Sequence, residues 1–180
     1  MNSTEWQIGD VVLVRARPLA WRLLGLKYDH AALLACWPPE TMTPSIWFTI
    51  EAGGRGVQTW PIGHWGRAYD VYRPIREWWQ DPDGKPYPIY ANAWQGYRAA
   101  TEAICLLQAP YAWWDTLKMA LRMIGRRVRR LAAPPPRLNC TGLVVETWRR
   151  AGLDWFENRV ANSVTPDELA AAMWPINTMG

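Results

Sequence analysis

The order of elements along the chain predicts an α+β fold with an antiparallel sheet of about five strands. Short runs rich in β-branched and aromatic residues, separated by glycine and proline, fill the first 73 residues, which is the pattern of strands. From residue 91 onward the apolar residues recur every three or four positions, as they do in helices. Strands followed by helices are typical of the α+β class. A chain of 180 residues without internal repeats is expected to form a single domain, residues 1–180.

The strand pattern occurs in five segments, at residues 11–14, 28–36, 46–52, 56–60 and 68–73. The connection Gly53-Gly54-Arg55-Gly56 predicts that the third and fourth segments form a hairpin. Pro74 is expected to end the fifth strand, because proline lacks the N–H that a strand ladder uses. Residues 78–88 are rich in proline and are predicted to be a loop.

Helical spacing marks three segments besides the one around Cys140. Residues 91–108 place a set of mostly large side chains near one face, namely Trp94, Tyr97, Thr101, Ile104 and Leu107. Residues 116–131 combine an apolar side with a basic side, and a proline-rich break follows them. A last helix is predicted to start at Thr165, since Thr165 as N-cap and Glu168 at N3 form a capping box.

The segment Asn139-Cys140-Thr141-Gly142-Leu143-Val144 opens a helix that we predict to run from residue 140 to residue 151. Asn139 is a favourable N-cap and Gly152 a favourable C′ residue. One face of this helix is apolar and consists of Leu143, Val144, Thr147, Trp148 and Ala151. The thiol of Cys140 therefore lies in the first turn, where free N–H groups and the helix dipole favour a thiolate.

The cysteine and histidine content argues against several classes of site. Three cysteines without a CxxC pair indicate neither a disulfide framework nor a zinc cluster, and two histidines are too few for a histidine-rich metal site. We therefore expect no metal and no cofactor. Cys36 and Cys105 lie in apolar runs and are predicted to be buried, as small hydrophobic residues are.

Charge and hydropathy bear on partners and location. A net charge of +4 and a pI of about 9.1 permit an anionic partner such as wall polymer, membrane surface or nucleic acid, without requiring one. The polar start of the chain is unlike a signal peptide, and no apolar run reaches spanning length. We therefore expect synthesis in the cytoplasm, with no signal peptide and no transmembrane segment.

A thiol nucleophile needs a nearby base and a group that orients this base. His30 begins a predicted strand, whereas His64 lies between Gly63 and Trp65 and is predicted to be a loop residue outside the site. Glu51 ends the neighbouring strand in an apolar context, where a carboxylate is costly unless it is paired. If the two strands are adjacent, Glu51 can hold the imidazole of His30. The alternatives are an inert cysteine, a structural histidine, and pairing of Glu51 with an arginine at the strand end, Arg55 or Arg73.

The hexapeptide around Cys140 resembles the Asp-Cys-Ser-Gly-Leu-Val nucleophile motif of the NlpC-type cell-wall peptidases, which are papain-like thiol hydrolases. In that family the cysteine precedes the histidine, and here it follows. The chain therefore resembles the circularly permuted branch, typified by YiiX/YaeF-like hydrolases and lecithin:retinol acyltransferase-like proteins. The resemblance spans residues 8 to 172 and includes Gly9-Asp10-Val11-Val12, Asp29-His30-Ala31-Ala32-Leu33, Ile50-Glu51-Ala52, Gly56-Val57, Pro110-Tyr111 and Thr165-Pro166-Asp167-Glu168-Leu169.

The resemblance implies a permuted papain-like fold and a role for each site residue. Cys140 is the expected nucleophile, His30 the general base and then acid, and Glu51 the orienting group, with the Cys140 N–H in the oxyanion hole. The residues expected to contact substrate are Tyr28, Asp29, Tyr111, Trp113 and Trp114. The chain departs from the permuted pattern in two places. Thr141-Gly142 stands where Ser-Glu is frequent, and the basic segment Lys118–Arg137 is interpreted as a helical insertion, 116–137, without a counterpart.

The expected function is a cysteine hydrolase of amide bonds, with a peptide stem of peptidoglycan as the first choice of substrate. The expected setting is phage-borne or virion-associated. One alternative is a hydrolase or acyltransferase of lipid acyl groups, and another is a non-enzymatic assembly or binding module of a virion. The basic segment is either a solvated helix face or a patch for an anionic surface or a virion protein. Specific nucleic-acid binding is not expected, because this segment lacks interleaved aromatic residues.

Overall fold

A computed structural model describes residues 6–18, 25–37, 46–112, 137–157 and 159–178. Among these residues there are seven strands, β1 (Val11–Arg15), β2 (Tyr28–Trp37), β3 (Ile46–Gly53), β4 (Gly56–Pro61), β5 (Tyr69–Gln80), β6 (Pro86–Tyr90) and β7 (Met173–Thr178). The described helices are α1 (Ala93–Cys105), α2 (Cys140–Arg150) and α3 (Pro166–Ala171), with a 3₁₀ turn at Ala161–Ser163. The predicted α+β class is confirmed.

The seven strands form one sheet in the order β4-β3-β2-β1-β5-β6, and β7 pairs with β5. Each of these pairs is antiparallel. The hairpin predicted at residues 46–60 is confirmed as β3 and β4, in which Glu51 lies opposite Gln58. The prediction of about five strands is wrong by two, because β6 and β7 were not predicted.

The error at β5 and β6 comes from proline. β5 continues through Pro74 as far as Gln80, and the segment predicted to be a loop, 78–88, includes the end of β5 and the first three residues of β6. β6 is the edge strand on one side of the sheet. The N–H groups on the outer side of an edge strand have no neighbouring strand to bond, so a proline there costs no hydrogen bond of the sheet. Pro86 and Pro88 are therefore compatible with this strand.

The three helices pack on one face of the sheet. Leu13, Leu33 and Ile50 are fully buried there and belong to the same core cluster as the apolar residues of α2. The five positions predicted to form the apolar face are all buried, namely Leu143, Val144, Thr147 and Trp148 in α2 and Ala151 at its C-cap. The capping box predicted at Thr165 and Glu168 is also present. The local patterns at these two helices are confirmed.

Helix α1 buries the opposite face from the one that its large residues mark. Its buried residues are Gly96, Ala99, Ala100 and Ala103, whereas Trp94 is 69% exposed and Tyr97, Ile104 and Leu107 are also exposed. A Cβ at Gly96 would lie 2.0 Å from the carbonyl oxygen of Ile8, so the helix backbone approaches the turn before β1 very closely. Such a close contact admits only small side chains, and the bulky ones therefore lie outside.

Aromatic side chains cover the other face of the sheet. The buried residues of this second cluster are Val12, Ala32, Leu34 and Val71, and the partly buried residues packed on them are Trp6, Trp47, Ile62, Trp65, Tyr69 and Ile176. Three of the fourteen tryptophans, Trp6, Trp47 and Trp65, thus pack on this face. Trp65 in this layer also donates a hydrogen bond to Glu51.

The predicted basic helix at residues 116–131 lies outside the described residues. The described ranges 46–112 and 137–157 contact each other at their ends. Tyr111 forms a bridge with Leu138, and the Ala112 N–H donates to the Leu138 carbonyl at 3.1 Å. In the part of the chain that the structure describes, no helix has both the length and the hydropathy required to span a bilayer.

Candidate active site

The N-terminus of α2 is fixed by two buried asparagines. Asn139 caps the helix, since its Oδ1 accepts the N–H of Gly142 at 2.7 Å. Asn162 holds the cap from the other side, because its Oδ1 accepts the Asn139 N–H at 3.1 Å and its carbonyl accepts the Asn139 Nδ2 at 2.9 Å. These bonds fix the position of Cys140, which is 5% exposed, in the first turn.

Strands β2 and β3 separate where Cys140 meets the sheet. Their pairing ends at Leu33 and Ile50, although β2 begins at Tyr28 and β3 continues to Gly53. In the part of β2 that β3 does not pair, the Ala31 N–H donates to the Cys140 sulfur. The N-terminal end of α2 thus contacts the sheet between two neighbouring strands.

The three residues predicted to be catalytic lie in contact. The His30 ring is hydrogen-bonded to the Cys140 thiol, and its Nε2 lies 2.6 Å from Oε2 of Glu51. Since Nε2 is bonded to the carboxylate, Nδ1 is the ring nitrogen left for the hydrogen bond to the thiol. The structure therefore places a thiol, an imidazole and a carboxylate in the sequence of contacts that a thiol–imidazole site requires.

Hydrogen bonds and charge favour the ionised form of all three groups. Burial raises the pKa of Cys140, but the bond and charge of His30 and the N–H groups of Ala31 and Thr141 leave it below the usual value. Burial opposes protonation of His30, yet its bonds to Cys140 and Glu51 raise its pKa to about 10. The thiolate–imidazolium pair is the form that these contacts stabilise.

Glu51 has two further partners that the sequence did not predict. His64 Nε2 lies 2.9 Å from its Oε1, and Trp65 Nε1 donates to its Oε2 at 2.9 Å. Burial alone would raise the pKa of Glu51, but the bond from His30, together with the nearby histidine charges and Trp65, lowers it. Arg73, one alternative partner in the sequence, instead pairs with Asp10 at 2.9 Å.

His64 lies in a turn after β4, as predicted, but it contacts the site, which was not expected. The register of β3 and β4 places Trp60 on the same face of the hairpin as Glu51, and the next turn returns over that face. The sequence contained part of this information, because the register of the predicted hairpin determines that Trp60 and Glu51 share a face. The position of the turn itself depends on tertiary contacts that the local sequence does not specify.

The five predicted substrate contacts have different surroundings. Tyr28 is buried, and its hydroxyl contacts Asp70 and Tyr72 at 2.5 and 2.8 Å, so it stabilises the end of β2. Asp29 pairs with Arg67 at 2.8 Å, and its Oδ1 is buried without a hydrogen-bond partner among the described residues. Tyr111 forms a bridge with Leu138, and Leu138 is two residues before Cys140 in the chain. Trp113 and Trp114 lie outside the described residues.

The other two cysteines differ from each other. Cys36 is buried, as predicted, but the prediction that Cys105 is buried is wrong. Cys105 ends α1 on the face turned away from the core, because the small residues of that helix form the packed side. The described residues contain no group of three or more His, Cys, Asp or Glu side chains arranged to bind a metal ion.

Neither protein-family models nor curated proteins give a match to this chain.

The charge of Glu51 is expected to contribute to the reactivity of Cys140. In Glu51→Gln the hydrogen bond to His30 is no longer charge-assisted, and the His30 imidazolium loses about 1–2 kcal/mol of stabilisation. A less stable imidazolium stabilises the thiolate less, so alkylation of Cys140 at neutral pH should slow roughly tenfold. The measurement is the iodoacetamide rate at Cys140, followed by mass spectrometry. Glu77→Gln makes the same change at an exposed position and should leave the rate unchanged. Equal rates in both variants would contradict a role for the Glu51 charge.

Proposed function

We propose that this protein is a cysteine hydrolase that cleaves amide bonds through a thioester on Cys140. The observation that supports this best is the continuous set of contacts from Cys140 through His30 to Glu51, with the thiol at a helix N-terminus. A thiol in such a setting is held as a thiolate and is a strong nucleophile.

The reaction proceeds in two halves. The Cys140 thiolate attacks the carbonyl carbon of the amide, and the negative charge on the carbonyl oxygen is stabilised by the N–H of Cys140 at the helix end. As the C–N bond breaks, the His30 imidazolium gives its proton to the leaving amine. His30 then takes a proton from water, which attacks the thioester, and the C–S bond breaks to release the carboxylic acid and restore the thiolate.

We propose a peptide stem of peptidoglycan as the substrate and a permuted papain-like arrangement as the fold. The support is the Cys140 hexapeptide and the order of elements, in which the strand of His30 and the strand of Glu51 precede the cysteine helix. The antiparallel sheet packed on α2 agrees with this arrangement. Association with a virion and an origin in a phage stay predictions.

The test is incubation of the protein with soluble muropeptides, followed by mass spectrometry of the products. We expect fragments that have gained one water at an amide bond, and we expect Cys140→Ala to lose this activity by roughly 10³-fold or more. Acyl esters and amides of lipids are assayed in parallel. Cleavage of these alone would contradict the wall substrate and favour the lipid enzyme. No turnover of either class would favour a binding module.

A further inference from the structure

Both ring nitrogens of His64 face oxygen atoms that can only accept. Nε2 lies 2.9 Å from Oε1 of Glu51, and Nδ1 lies 3.2 Å from the carbonyl oxygen of Pro61. A neutral imidazole carries one N–H and one lone pair, so either tautomer would direct a lone pair at an oxygen. The doubly protonated ring donates to both acceptors. The geometry therefore favours an imidazolium at His64.

The aromatic neighbours of His64 are also those of a cation. Its ring stacks on Trp60 with a centroid separation of 5.2 Å and an interplanar angle of 14°, and it lies 4.5 Å from the ring of Trp65. The faces of tryptophan rings attract positive charge, most strongly where water is partly excluded. The His64 side chain is 23% exposed, so water is partly excluded here.

The carboxylate of Glu51 is shared between the two histidines. Oε2 faces His30 at 2.6 Å and Oε1 faces His64 at 2.9 Å, so each oxygen has an imidazole partner. The side chain of Glu51 is 8% exposed, and a buried carboxylate oxygen that loses its donor is costly. The contact with His64 therefore restricts rotation of the carboxylate that orients His30.

We propose that His64, as an imidazolium, is a positioning residue that fixes Glu51 so that Oε2 stays directed at His30. This assignment rests on the proposed function, because it concerns the same thiol site. The site then contains two cationic rings and two anions, the Glu51 carboxylate and the Cys140 thiolate. His64 acts on the nucleophile through Glu51 and His30, and it has no direct part in bond breaking.

Two measurements on the 180-residue chain test the proposal. The first is a two-bond proton–nitrogen NMR spectrum of the ¹⁵N-labelled imidazoles near neutral pH, in which an imidazolium differs from both neutral tautomers. His64 is assigned by the signal that is lost in His64→Gln, and we expect the spectrum of an imidazolium. A single neutral tautomer at His64 would overturn the proposal.

The second measurement is the alkylation rate of Cys140. His64→Leu removes the donor to Oε1 and should slow alkylation of Cys140 roughly tenfold, because a buried acceptor left without a donor costs about 1–1.5 kcal/mol. His64→Gln retains a donor and should recover most of the rate. Arg55→Ala removes an exposed cation from the same hairpin and should have no effect. A wild-type rate in His64→Leu, or no recovery in His64→Gln, would overturn the positioning role.

Failure of this role differs from failure of the proposed function. If Cys140 depends on His30 but not on His64, the hydrolase stands and the positioning role is wrong. If Cys140 in the wild-type protein does not depend on His30, the proposed function fails, and the positioning role fails with it whatever the charge of His64.

Discussion

Replacing His30 by alanine is expected to slow alkylation of Cys140 by roughly 10²-fold at neutral pH, since each pKa unit changes the thiolate fraction tenfold. The bond and charge of His30 are the main groups that lower the pKa of Cys140 against its burial. Without them, the N–H groups of Ala31 and Thr141 remain, and burial should raise the pKa to or above the usual value of about 8.5.

The pH profile distinguishes this effect from a simple change in access. In the wild-type protein the alkylation rate should rise at a pH well below the usual thiol value, because the pKa of Cys140 is lowered. It should not fall near pH 10, where His30 loses its proton, since the sulfur stays a thiolate. Hydrolysis, in contrast, should decline through about pH 10, because the leaving amine then lacks its acid.

The chain contains its own reference for this experiment. Cys105 is exposed and should react at the same rate in the wild type and in His30→Ala. Because Cys140 is almost fully buried, its absolute alkylation rate also reflects access of the reagent. The ratio of the Cys140 rates in the wild type and in His30→Ala removes that contribution. Identical pH profiles at Cys140 in both proteins would show that His30 does not activate the thiol.

Features that depend on local chemistry were predictable from the sequence. Asn139, Gly152 and the capping box at Thr165 specify helix ends through hydrogen bonds within a few residues, and these ends are where they were predicted. The strands that contain His30 and Glu51 were predictable too, because short apolar runs bounded by turn residues are typical of buried strands. Their adjacency in the antiparallel sheet then places the imidazole within reach of the carboxylate.

Features that depend on distant contacts were not predictable. The buried face of α1 is the side with small residues, because the helix packs against the backbone of Ile8. β6 contains two prolines that only an edge position accommodates. The contact of His64 with Glu51 requires the turn after β4 to fold back, and nothing within the turn specifies this. In each case a tertiary neighbour determines the outcome.

Gly142→Ala is expected to destabilise the protein by about 3 kcal/mol, the upper part of the range for overpacking. Helix propensity alone predicts the opposite sign, since alanine is favoured over glycine by about 1 kcal/mol. The surroundings reverse this preference, because a Cβ at residue 142 would lie 1.9 Å from Oδ1 of Asn162 and 2.8 Å from Oδ1 of Asn139. Guanidinium unfolding monitored by tryptophan fluorescence measures the change.

Asn162 cannot move aside without loss. Its Oδ1 accepts the Asn139 N–H and its Nδ2 donates to the Arg137 carbonyl at 2.8 Å, so a shift breaks bonds that fix the start of α2. Cys140 should then move relative to His30, and alkylation should slow roughly tenfold, as for a loss of about 1.4 kcal/mol. Gly53→Ala is the control, since its Cβ would meet nothing within 4 Å.

A double variant separates the steric conflict from the lost hydrogen bonds. Asn162→Ala alone removes the acceptor for the Asn139 N–H and should also destabilise, by about 1–3 kcal/mol for a buried donor left without a partner. In Gly142→Ala/Asn162→Ala the new methyl group no longer meets an oxygen of residue 162. The double variant should therefore lose less free energy of unfolding than the two single variants lose in sum, by about 1 kcal/mol. Strict additivity would mean that the contact between residues 142 and 162 does not set the position of the nucleophile helix.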